Sequence, residues 1–207
     1  MTEFQILRTS QALYLTVVTK DRLPIFKTNS LKNVVCAALN EARTSGGFFI
    51  FAYVIMFDHL HLITNQPNSS AEILRYVKGI AARRIIDFLK QNNFTSSLAK
   101  LQHPEWKRNH KYSVWQQEKN VLSIFSENVF MQKVNYIHLN PVRAELERHA
   151  IDYRWSSARC WQRCPLDDEP LMVDVDRIRW RYGRSPKAIT DESEGQDLPH
   201  IRRRSRF

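Results

Sequence analysis

Two adjacent segments, residues 48–57 and 59–65, leave this chain few architectures. The first is apolar at nearly every position, as expected of a strand covered on both faces. The second alternates apolar and polar residues, the period of a half-buried strand. The short turn at Phe57-Asp58 between them makes the pair a hairpin. Upstream, residues 12–19 (ALYLTVVT) read as a strand with Leu13, Leu15 and Val17 on one face. Asp21-Arg22-Leu23-Pro24 then turns the chain. Ser30 is the expected cap of a helix running through Leu31, Val34, Val35, Ala38 and Leu39 to about Ser45, where Gly46-Gly47 stops it. Downstream, Pro67-Asn68-Ser69-Ser70 opens a long helix to about Asn92, with Ile73, Leu74, Val77, Ala81, Ile85 and Phe88 on one side. Residues 93–111 read as a polar loop and residues 112–117 (YSVWQQ) as a fourth, edge strand. A last helix spans residues 126–140 and is expected to end before Pro141, which disfavours helix in the residue preceding it. The order strand–helix–strand–strand–helix–strand is the split βαβ of an α+β, ferredoxin-like antiparallel sheet, with an additional C-terminal helix bearing Tyr136. Many unrelated functions use this architecture, so function has to be read from a site.

Composition narrows the class. The chain has 207 residues, 43% hydrophobic and 25% charged, enough for one real core. Its longest apolar stretch, residues 47–57, falls far short of the roughly 20 residues that span a bilayer. Residues 1–10 contain no secretory core, and three scattered cysteines make no disulfide framework. A cytoplasmic protein with no membrane segment is expected. Thirty-one Lys and Arg against 21 Asp and Glu give a net charge of +10, which favours a polyanionic partner, nucleic acid foremost. The expected organisation is one domain over residues 1–164 and a basic, partly disordered C-terminal extension over residues 165–207, closing on Arg202-Arg203-Arg204.

Within this frame, His59-Leu60-His61-Leu62 is the sharpest local feature. In a strand, residues two apart share a face and sit about 7 Å apart. Leu60 and Leu62 would face a core while His59 and His61 present two imidazoles side by side. A bare His-x-His is short and common, and taken alone an ordinary half-exposed strand is the better account of it. In the last helix, Tyr136 and Asn140 lie at i and i+4, about 5–6 Å apart on a face shared with Gln132 and Lys133, while Phe130, Val134 and Ile137 lie toward the core. Alone, this too reads as an interfacial tyrosine and a helix-ending asparagine. Together the two features suggest chemistry. A phenol with a pKa near 10 is a weak nucleophile and needs an activated target. A metal held by His59, His61 and the Asn140 carboxamide can polarise a phosphodiester for in-line attack by Tyr136. The phosphotyrosine product remains an activated ester, so strands can be cut and rejoined without ATP. Oxygen-rich coordination favours Mg2+ or Mn2+, although two imidazoles also tolerate zinc.

Residues 52–63 (AYVIMFDHLHLI) resemble the AYVIMPNHVHLLI segment of single-tyrosine HUH transposases. Residues 136–144 (YIHLNPVRA) and 152–157 (DYRWSS) resemble the corresponding segments of the REP-associated tyrosine transposase branch of this IS200-like family, and Val114-Trp115-Gln116 matches its WQ strand. The resemblance covers roughly residues 13–160. It implies a metal-dependent endonuclease and transposase that cleaves and joins single-stranded DNA through a 5'-phosphotyrosine, commonly beside a hairpin. It implies His59 and His61 as metal ligands, Tyr136 as nucleophile and Asn140 as the further ligand. Phe57-Asp58 stands where the family usually has Pro-Asn, and Glu145 where glycine often follows; neither change removes a catalytic group. Asp58 would add a carboxylate near the metal or shape the turn.

Arg75, Lys78, Arg83 and Lys90 could track DNA phosphates, or simply form a solvated helix face. Lys133 could steady a phosphate or be ordinary helix surface. Arg84 falls among apolar residues and should snorkel or pair. Of the tryptophans most are expected in the core, with Trp106, in a basic loop beside Lys107, Arg108 and His110, the candidate for stacking on an unpaired base. Cys160-x3-Cys164 with His149 is a poor zinc set and reads as structural. The expected partner is single-stranded DNA with hairpin structure, bound by a monomer or homodimer. The alternative is a hairpin-binding module of the same fold that does not cut. RNA-recognition sheets expose aromatics on their central strands, whereas here the alternating positions are His59 and His61, which argues for catalysis.

Overall fold

The computed structural model describes residues 3–181, apart from residues 8, 104–110 and 119. Its elements are β1 (Ala12–Val18), α1 (Asn29–Gly46), β2 (Ile50–Ile55), β3 (His59–Asn65), α2 (Ser70–Gln91), α3 (Thr95–Leu101), β4 (Asn120–Ile124) and α4 (Glu127–Arg143), followed by the single turn of α5 (Ala158–Trp161). The four strands form one antiparallel sheet in the order β2-β3-β1-β4, the arrangement of a split βαβ fold. Leu15 and Val17 pair across from Leu62 and Leu60, so these residues share one face of the sheet, and all are fully buried. Helices α1 and α2 cover that face with Val35, Leu39 and Ala42 from α1 and Ile73, Val77, Ala81 and Ile85 from α2. The other face, carrying Tyr14, Thr16, His59 and His61, is crossed by α4. No helix among the described residues is long and apolar enough to cross a membrane.

Several boundaries differ from those expected. Thr28, not Ser30, caps α1, its hydroxyl accepting from Leu31 N–H. Part of the supposed polar loop forms α3. The fourth strand is residues 120–124 rather than 112–117: Trp115 makes only an isolated bridge to Thr19 at the end of β1. Val114 and Trp115 are apolar because they are buried, Trp115 against Phe26, with its indole N–H on the Lys78 carbonyl. The true edge strand is half-exposed, leaves Leu122 in solvent, and so carries a weak pattern. Helix α4 does not stop at Pro141 but continues to Arg143. Ala144 N–H and Leu146 N–H bond the Asn140 and Pro141 carbonyls, and the proline ring is buried, so the one missing donor is tolerated in the last turn. Glu145, at φ +55°, then ends it.

The free edge of β2 is closed by the DYRWSS segment. Ile55 N–H donates to the Trp155 carbonyl at 2.9 Å, the Tyr153 hydroxyl to the Ile55 carbonyl at 2.7 Å, and Ser157 N–H to the Tyr53 carbonyl at 3.0 Å. Tyr53 N–H in turn donates to the Ser157 hydroxyl at 2.9 Å. Asp174 completes the cover at Ile50, and Leu171 and Ile178 are buried nearby, so the described part of the chain after Cys164 packs against the same body. An exposed strand edge is thereby converted into satisfied backbone. Ser157 also meets Nε2 of His138, a fully buried residue of α4, at 2.8 Å. One hydroxyl thus ties the helix to the sheet edge. Ser157→Ala should lower the free energy of unfolding by about 1–3 kcal/mol, because it strands two buried polar groups. Urea denaturation measures this, and a change below the fitting error would show that the tie contributes nothing.

Candidate active site

The pleat of β3 puts His59 and His61 on one face with ring centroids 4.9 Å apart. Helix α4 crosses them because Phe130, Val134 and Ile137 bury its apolar side, leaving the opposite side to meet the imidazoles. Tyr136 stands edge-on to His61, 5.5 Å between centroids, and remains 39% exposed. One turn on, Asn140 donates its amide Nδ2–H to the Tyr136 carbonyl at 2.7 Å. The face expected from helical spacing is the face observed, and the two segments that carry the imidazoles and the phenol do meet.

Burial sets the electrostatics. His61 is 4% exposed, and burial, with smaller contributions from His59 and Lys133, pushes its pKa down to about 3. It is therefore a neutral imidazole. Its Nδ1 lies 2.8 Å from the Tyr14 hydroxyl and 3.0 Å from the Thr16 hydroxyl, both on β1. Burial also raises Tyr14 to about 12, against the Thr16 hydrogen bond that lowers it. Tyr14 is therefore a neutral phenol wedged between His61 and Tyr136, its ring 6.3 Å from that of Tyr136. Nδ1 of His59 lies 2.6 Å from Asp58 Oδ1. Burial works to raise the Asp58 pKa, but hydrogen bonds from His59 and Arg22 outweigh it and hold the carboxyl below its ordinary value. Two cations flank the candidate nucleophile: Lys133 Nζ is 5.8 Å from the Tyr136 ring and the Arg143 guanidinium 5.3 Å.

These residues fit a divalent cation. Nδ1 of each imidazole faces a protein oxygen, and wherever Nδ1 carries the proton Nε2 is left as the ligand atom. Among the described residues no group of three His, Cys, Asp or Glu side chains could hold a metal ion. Sequence reasoning missed Tyr14, Thr16 and Arg143. The first two sit across the sheet from β3, and only strand register reveals them. Arg143 was legible in principle, two helical turns beyond Tyr136 on one face.

The proposed DNA contacts separate into two groups. Lys133 is at the site, its Nζ 5.1 Å from the Tyr14 ring. Arg75, Lys78, Arg83 and Lys90 lie on α2, across the sheet from the imidazoles. Arg83 pairs with Glu41 at 3.1 Å, and Lys78 donates to the carbonyls of Gln116 and Glu118. Arg84 pairs with Glu41 at 2.7 Å. Trp115 and Trp155 are buried, as expected of core tryptophans, whereas Trp106 lies outside the described residues, as does the run Arg202–Arg203–Arg204.

Comparison with known proteins bears on the same segments. The family model "Transposase IS200 like" matches residues 9–140, a span from β1 through Asn140. No curated protein sequence matches. A solved REP-associated tyrosine transposase bound to a REP hairpin is similar in fold, with a TM-score of 0.51 and 19% identity over 91% of this chain and 92% of that one. A proposed transposase from Deinococcus radiodurans R1 matches at 22% identity and a TM-score of 0.43 over 62% of this chain and 88% of its own. With a family match that takes in most of the chain and every strand of the sheet, the protein belongs to the IS200-like transposase family.

Proposed function

We propose that this transposase cleaves and rejoins single-stranded DNA through a 5'-phosphotyrosine at Tyr136, in the manner of the REP-associated branch and at hairpin-flanked, REP-like sites. The observation that carries the reading is the placement of Tyr136 edge-on to His61, whose ring adjoins that of His59, with Lys133 and Arg143 at the Tyr136 ring. His59, His61 and the Asn140 amide oxygen would hold Mg2+ or Mn2+. Bound there, such a cation supplies Lewis-acid polarisation of the scissile phosphate.

The chain's own groups supply the rest. The Tyr136 oxygen attacks phosphorus in line, forming the Tyr O–P bond as the P–O3' bond breaks; the phenol proton leaves to solvent, and the departing O3' takes a proton from solvent to leave as a free 3'-hydroxyl. Lys133 and Arg143 hold the phosphate oxygens, restraining its approach and opposing the charge that builds on it. In the return step a 3'-hydroxyl attacks the phosphotyrosine and releases Tyr136. The number of phosphate ester bonds is unchanged, so no nucleotide is consumed. The active species would be a monomer or a homodimer. The working unit extends past residue 164, because Leu171, Ile178 and Trp180 share its core. Residues 165–207 carry nine Lys and Arg against nine Asp and Glu, so this stretch is neutral overall rather than a basic extension. Arg75, Lys78, Arg83 and Lys90 would engage DNA only where it wraps round to the α2 face.

The test is incubation with a single-stranded hairpin oligonucleotide followed by a denaturing gel. A protein–DNA adduct should form with Mg2+ or Mn2+, vanish with EDTA, return when the metal is restored, and be absent with fully duplex DNA. Tight hairpin binding with no adduct in either metal would assign instead a non-cleaving hairpin-binding module.

A further inference from the structure

The turn between β2 and β3 carries a side-chain relay that the reading above leaves without a task. Asp58 Oδ1 lies 2.6 Å from Nδ1 of His59, and Asp58 Oδ2 accepts from Arg22 Nη1 at 2.9 Å. Each carboxylate oxygen is committed to a different neighbour. Arg22 is delivered by an unusual backbone: Asp21 and Arg22 hold φ of 52° and 51°, consecutive left-handed residues of a kind non-glycine chains seldom adopt and which persist only where the surroundings impose them. The surroundings here are specific. Thr19 N–H donates to the Asp58 carbonyl at 2.9 Å, and the Thr19 hydroxyl lies 2.8 Å from both that carbonyl and the Leu23 carbonyl. The end of β1, the strained turn and the β2–β3 turn are thus fastened to one another.

A neutral imidazole has a single N–H, and the nitrogen bearing it offers no lone pair to a metal. A carboxylate at Nδ1 selects the Nδ1–H form and leaves Nε2 as the ligand atom. The buried His61 meets two hydroxyls at Nδ1, which can donate or accept and so fix no tautomer, whereas His59, with 19% of its side chain exposed, meets the acceptor-only carboxylate of Asp58. We propose that Asp58, braced by Arg22, is the positioning residue for His59: it holds the ring as the Nδ1–H tautomer, presents Nε2 to the cation, and does not itself ligate. This rests on the reading of His59 as a metal ligand. Asp58 then shapes the turn through its carbonyl, which accepts from Thr19, and orients the ligand through its side chain.

Two measurements on the wild type, Asp58→Ala, Asp58→Asn and Arg22→Ala test it. Imidazole 15N NMR of metal-free protein at pH 8 should show His59 protonated on Nδ1 in the wild type and in Asp58→Asn, which keeps an acceptor oxygen, and a tautomer mixture in Asp58→Ala. Mn2+ titration followed by EPR should show affinity about 10–100-fold weaker in Asp58→Ala, with a smaller loss in Arg22→Ala. A wild-type His59 protonated on Nε2, or an Asp58→Ala protein that binds Mn2+ as tightly as the wild type, overturns this inference alone. Wild-type protein with the Nδ1–H tautomer but no Mn2+ uptake overturns the metal reading and this inference with it.

Discussion

Tyr136→Phe should abolish the covalent protein–DNA adduct and lower cleavage by about 10^4-fold or more, the scale on which a nucleophile's removal is felt. The substitution deletes one oxygen and little else. The ring keeps its edge contact with His61 and its place beside Tyr14, Lys133 and Arg143. With 39% of the residue already exposed, unfolding free energy should move by less than about 0.5 kcal/mol. Hairpin affinity should hold as well, because the cations that meet phosphate are untouched. The useful contrast is binding preserved against chemistry lost, read by gel shift and denaturing gel on one preparation. An adduct of undiminished yield would place the nucleophile elsewhere and remove the basis of the proposed function.

Phe130→Ala should cost about 3–5 kcal/mol of stability, the usual range for emptying a core phenylalanine site. Phe130 is fully buried at the junction of α4 with the rest of the molecule, its ring 5.8 Å from Phe51, 6.2 Å from Trp161 and 5.9 Å from Trp180. Three large rings cannot collapse into the space without moving the backbone that carries them, so much of the cavity should persist. The effect also has a direction. Phe130 anchors the first half of α4, whose second half carries Tyr136 and Asn140, while the imidazoles belong to the sheet. Loosening that anchor should reduce adduct formation more than the loss of folded protein explains. Guanidinium denaturation gives the first quantity and adduct yield per folded molecule the second. A stability loss under about 1 kcal/mol would mean that the helix is held by other contacts, the His138–Ser157 tie first among them.

What was legible in the chain, and what was not, divides by range. The hairpin and the long second helix follow from periods of two and 3.6 residues, and the structure has them as β2–β3 and α2. The face shared by Tyr136 and Asn140 is likewise a local consequence of helical spacing. The fourth strand is not legible because burial in the core and membership of a sheet leave the same apolar signature at Val114 and Trp115. Pro141 reads as a stop because its cost is local, while the burial that offsets it is not. The family-like motifs could be recognised as strings, yet DYRWSS only acquires a task once β2 is seen to need its edge covered.

On its own, then, the order of residues determined the strand and helix alternation, the pairing of two imidazoles on one strand face, and the side of α4 on which the tyrosine stands. Those depend on neighbours a few positions apart, where covalent geometry dictates direction. Tertiary structure alone decided that Tyr14 and Thr16 sit against His61, that Arg22 reaches Asp58, and that the α2 cations face away from the site. Such contacts join residues tens of positions apart, and they are chosen by how buried faces pack, for which no short window of sequence holds the record.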